Sequence, residues 1–87
     1  MTYQYQAERP RLFTEEGQVM FLKIRDRVHR LIQDAGAFDM FRATLEAGGD
    51  SWMQLACVDR LVELGEIKEL TVQGQVPGQY RVFTSKE

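Results

Sequence analysis

The chain has 87 residues, a formal net charge of -2 and a pI near 5.4, with 44% hydrophobic and 28% charged residues. This length supports one small domain and no second independent core, and the composition excludes a disordered or fibrous chain. The acidic balance weighs against a nucleic-acid module, whose surface usually carries the opposite sign.

Cys57 is the only cysteine, so no internal disulfide can form, and with the single His29 it makes no zinc spacing. A reducing, cytoplasmic setting is expected, with no metal and no cofactor. No apolar run approaches the roughly 20 residues a bilayer span needs, and the polar start "MTYQYQAERP" lacks the hydrophobic stretch of an export signal, so no membrane partner is expected.

Residues 1–13, with Pro10 between Arg9 and Arg11, read as an extended N-terminal arm. Thr14 can cap a helix whose first turn carries Glu15 and Glu16 at the positive end of the dipole. Met20, Ile24, Val28, Leu31 and Ala35 then recur at helical spacing, and Gly36 stands at a left-handed stop, so the first helix is expected over 14–35.

Asp39 can cap a shorter helix through Ala47 that turns Phe38, Phe41 and Leu45 inward, before Gly48 and Gly49 end it. Ser51 with Gln54 three residues on has the form of a capping box, so a third helix is expected over 51–64, stopped by Gly65. Beyond it the period falls to two, with Leu70 and Val72, then Tyr80, Val82 and Thr84, alternating with polar neighbours around "QGQVPGQ". Pro77 and Gly78 suit a type II turn there, and a β-hairpin follows.

Helix, short helix, helix and hairpin in this order, with "CVDRLVELGEIKELTVQGQVPGQYRVF" as the telling segment, resembles the winged-helix family over roughly residues 14–85. The resemblance implies an α+β, three-helix winged-helix-like domain with a C-terminal two-stranded wing. Its core would hold Ile24, Val28, Leu31, Phe41, Leu45, Val58, Leu61 and Ile67, with Val72, Tyr80 and Val82 from the wing. It also implies that the third helix is the surface-reading element, a role winged helices use for DNA and protein alike.

At 100 degrees per residue, Leu55, Cys57, Val58, Leu61 and Val62 share the inward arc of that helix, and Trp52, Ala56, Asp59 and Glu63 form the opposite strip. Base edges demand hydrogen-bonding side chains, and this strip offers an indole, a methyl and two carboxylates. From Asp50 onward six acids (Asp50, Asp59, Glu63, Glu66, Glu69, Glu87) face four bases (Arg60, Lys68, Arg81, Lys86).

The favoured expectation is a non-catalytic module that docks a protein, or a second copy of itself, through the third helix and the wing. Trp52, Met53 and Ala56 would be its apolar centre, with Asp59 and Glu63 as polar rim. Two plainer readings stay open: Trp52 folds back to complete the small core, and the carboxylates only solvate a surface.

The second functional reading is a DNA-binding regulator that grips the backbone with Lys23, Arg27 and Arg30 on the first helix, Arg60, Arg81 and the N-terminal arm. The plainer account of that basic stripe is a solvated, ion-paired face, since Asp26 and Arg30 stand in the favourable i, i+4 order. No nucleophile has a visible base beside it, and the glycines punctuate the backbone without forming a phosphate loop, so catalysis is not expected.

Overall fold

The computed structural model describes residues 2–71 and 78–86. Among them the chain runs through α1 (Tyr5–Glu8), a 3-10 turn (Arg9–Phe13), α2 (Glu15–Ala35), β1 (Ala37–Asp39), α3 (Met40–Thr44), α4 (Ser51–Glu63), β2 (Ile67–Glu69), a second 3-10 turn (Gly78–Tyr80) and β3 (Val82–Ser85). The result is an α+β arrangement with one three-stranded antiparallel sheet in the order β1-β3-β2.

Local chemistry sets the ends of α2 as the sequence implies. The Thr14 hydroxyl accepts the Gly17 amide at 3.1 Å, and Gly36, at φ 80°, takes the left-handed stop while its amide returns to the Ile32 carbonyl. Asp39 caps α3 by accepting the Arg42 amide at 2.8 Å, but that helix closes at Thr44, short of Ala47. The cap of α4 is Asp50, which accepts the amides of both Trp52 and Met53. Ser51 is the first helical residue, and Gln54 donates to the Gly48 carbonyl, so the expected capping box does not form.

The sheet departs from a simple C-terminal hairpin. Ala37, Phe38 and Asp39 pair with Thr84, Phe83 and Val82, while Ile67, Lys68 and Glu69 pair with Ser85, Thr84 and Phe83. β3 is therefore the central strand, and β1 had no separate sequence expectation. In this register Phe83 is fully buried and stacks on Phe38 with ring centroids 5.6 Å apart.

The alternation expected to bury Tyr80 and Val82 is thus out of phase by one residue, which swaps the two sheet faces. Tyr80 lies outside the strand and is 66% exposed, and Val82 is half-buried. Val72 and the Pro77 turn lie outside the described residues.

Ile24, Val28, Val58, Leu61 and Ile67 are buried as expected, and Leu31 is half-buried against them. Phe41 and Leu45 are exposed, because α3 turns Met40 and Ala43 inward and Phe38 already belongs to β1. Residues 1–13 were expected to form an extended arm; instead their first helical turn and the 3-10 turn lie on α4 and α2, where Leu12 is fully buried. That extra layer is why α4 also buries Met53 and Ala56, since the helix is covered from two sides.

Candidate interaction face on α4

The carboxylates that crowd the end of α4 and the start of β2 are each held by a cation of the same chain. The Arg81 guanidinium donates to Asp59 Oδ1 at 2.7 Å and to Glu69 Oε1 at 2.8 Å, with a further bond from Nε to Glu69 Oε2 at 3.0 Å. It also lies 5.2 Å from the centre of the Phe83 ring. All three charged side chains are nearly enclosed, at 17%, 14% and 18% exposure, so this cluster is a structural bolt between α4, β2 and the start of β3.

Tyr3 donates its hydroxyl to Asp59 at 2.6 Å, and Tyr5 donates to Glu63 at 2.7 Å. Arg9 and Arg60 reach the same Glu63 carboxylate at 3.0 and 2.7 Å, and both guanidinium groups lie over the Phe13 ring. Arg11 spans Glu8 and the helix cap Asp50, at 2.6 and 3.1 Å. Glu66 binds Arg25 at 3.0 Å and the His29 ring at 3.1 Å. The N-terminal segment is thereby latched across α4 by two tyrosines and two arginines.

These contacts set the ionisation of the latch. Hydrogen bonds from Tyr5, then Arg60 and Arg9, hold the Glu63 carboxyl down to about 2. Burial and the bond to Glu63 push the Tyr5 phenol up to about 12; burial and Asp59 raise Tyr3 as well. Glu69 is held low by Arg81, against its burial.

A carboxylate whose folded value is depressed stabilises the latch above its ordinary value of 4.5 and loses that effect as pH falls toward about 2. A phenol whose folded value is raised stabilises it below the ordinary value of 10.0, and that effect fades as pH climbs past it. Protection of the amides of residues 3–9 against hydrogen exchange, taken relative to the intrinsic rate at each pH, is therefore expected to be high between these limits and to fall at both ends. Tyr5→Phe should lower that protection in the neutral window, away from the titration of both Glu63 and Tyr5.

The five candidate residues of the docking reading divide into three groups. Met53 and Ala56 are buried at 2% and 0% exposure and cannot be an apolar docking centre. Asp59 and Glu63 do face outward from the core, but as anchor points for the chain's own N-terminal segment, not as a free rim. Trp52 is half-buried and stands outside the side chains that pack on the core.

Trp52, Leu55, Asp59 and Val62 follow one another at spacings of three, four and three, and so share one face of α4. Beside it runs a groove of about 1030 Å³ lined by Tyr3, Tyr5, Leu55, Val62, Gly78 and Arg81. Leu55 and Val62, which the arc argument turned inward, are half-buried on this groove. The pairing of "TYQYQAER" with Asp59 and Glu63 was the available signal, but it joins residues more than fifty positions apart.

The cations of the DNA reading are not brought together. Arg81 and Arg60 are bound to carboxylates along α4, while Lys23, Arg27 and Arg30 line a separate hollow beside α3. Cys57 is fully buried, which pushes its thiol up to about 12 and keeps it protonated. Among the described residues no group of His, Cys, Asp or Glu is placed to hold a metal ion, and no helix is long and apolar enough to cross a membrane. No family model matches the chain, and neither a curated protein nor a solved structure matches it.

Proposed function

We propose that this chain is a non-catalytic, winged-helix-type interaction module that receives an extended segment of a protein partner in the groove along α4. For the fold half, support comes from the order of a long helix, a short helix and a third helix, followed by two antiparallel strands where the resemblance puts the wing. For the function half, one observation carries the reading: the groove has apolar sides in Leu55 and Val62, and its charged residues Asp59, Glu63 and Arg81 are already paired within the chain.

Nucleic acid would have to break those pairs to gain a cation there, whereas a polypeptide needs only apolar contact and backbone hydrogen bonds from Tyr and Arg edges. Tyr80 and Leu70, at 66% and 55% exposure, are further apolar side chains near the wing. Arg60 and Arg81 leave the DNA reading by the same argument.

Peptides selected from a random library on the folded chain test this. Amide shifts at Tyr3, Leu55, Asp59 and Val62, with affinity lowered about tenfold or more by Leu55→Glu, are expected, since a charge on an apolar contact costs at least about 1.4 kcal/mol. Shifts produced by duplex DNA at low salt, concentrated at Ser51 to Arg60 and residues 78–85, with no response to peptides, would overturn it.

A further inference from the structure

Lys23, Arg27 and Arg30 occupy successive turns of α2 and open onto a hollow of about 170 Å³ closed by Ala43, Leu45, Glu46 and Ala47. At 1.5 Å per residue the outer two are about 10 Å apart along the axis, a span that their long side chains can close onto one point. The i, i+4 pair of Asp26 with Arg30 expected from the sequence is absent: among the described residues no carboxylate lies within ion-pair distance of Lys23, Arg27 or Arg30. Five of the chain's eight arginines are ion-paired to an acid within it, and among the described residues Lys23, Arg27 and Arg30 are unpaired cations gathered around one hollow.

Arg27 is also held in place. Its Nε donates to the Arg42 carbonyl at 2.6 Å, which leaves the two terminal nitrogens for a ligand. The hollow has the volume of about six water molecules at roughly 30 Å³ each, enough for one small tetrahedral group. Glu46 is the one acidic side chain lining it, at a backbone φ of 66°, so a singly charged ligand gains little and a doubly charged one is favoured.

We propose that this hollow binds a terminal phosphate, free or as a monoester. Such a group brings three oxygens and nearly two charges to three cations; a nucleic-acid backbone diester brings two oxygens and one charge. The site is independent of the groove along α4 and shares no lining residue with it.

The test is an amide-shift titration of the whole chain at low ionic strength with inorganic phosphate, a mononucleotide, and a short duplex lacking terminal phosphates. Saturable shifts at Arg27, Arg30 and Ala43–Ala47 with the first two ligands are expected. Affinity should rise between pH 5.5 and 7.5 as the second phosphate proton, of pKa about 6, is lost. Lys23→Gln with Arg30→Gln should weaken it about tenfold or more, and Glu46→Gln should strengthen it. Unsaturated linear drift, an affinity indifferent to those substitutions, or a duplex that binds the same amides more tightly than phosphate would each overturn the proposal.

Discussion

Arg81→Leu is expected to lower the free energy of unfolding by about 3 kcal/mol, read from urea denaturation at neutral pH. The loss has little to do with the arginine's own contacts. Two carboxylates, Asp59 and Glu69, would stay where the backbone puts them, each less than one-fifth exposed, facing one another across the vacated space with, among the described residues, the Tyr3 and Thr71 hydroxyls left as donors.

Neutralising the survivors discriminates this cause from lost packing. Adding Asp59→Asn and Glu69→Gln to Arg81→Leu should recover much of the deficit, because amides can share the enclosed space without charge. If the triple variant were as unstable as the single one, the bolt would be a packing element and the electrostatic account of it would fail.

Gly17→Ala comes next in size. Alanine is the better helix former by about 1 kcal/mol, so an exposed helical glycine would gain from the exchange. Gly17 is buried under the 3-10 turn, and a methyl there would meet the Arg11 carbonyl oxygen and come within 2.7 Å of the Leu12 Cα. These are backbone atoms that no rotamer change can move aside, and the overpacking costs about 3 kcal/mol.

The expected net destabilisation is about 2 kcal/mol. It should appear locally before it appears globally: the Arg9–Phe13 turn lifts, Leu12 leaves the core, and trypsin gains access to the Arg11–Leu12 bond while α2 stays folded. A variant as resistant at Arg11 as the parent chain would show that the two segments do not press on each other as described.

The elements that sequence reasoning placed well are those whose causes are local. Thr14 with Gly36, Asp39 with α3, and Gly65 after α4 act within a few residues of themselves, so their spacing is enough. β1 fails that test because three residues between a helix stop and a helix cap are too few to show alternation, and only β3 makes them a strand. Phe83 lost out to Tyr80 and Val82 for a related reason: both alternations are present in the string, and the stacking on Phe38 that chooses between them joins distant segments.

The site was legible in its chemistry and misread in its geometry. Asp59 and Glu63, singled out from the sequence as part of a polar rim, are held by partners within the chain. Three of their partners, Tyr3, Tyr5 and Arg9, sit in the first nine residues, in a segment whose proline and polar residues gave no reason to expect a docked turn. Helical phase put Leu55 and Val62 on the inward side, where they pack against the core, but could not place Met53 and Ala56, because it assumes one buried side and α4 has two.

Tyr3 and Tyr5 wall the groove and tie down the leading segment at once, so occupancy of one is bound to the other by reciprocity. A guest resting on those rings would slow the fraying of the leader, and a leader lengthened by a bulky fusion would cost the guest affinity in equal measure.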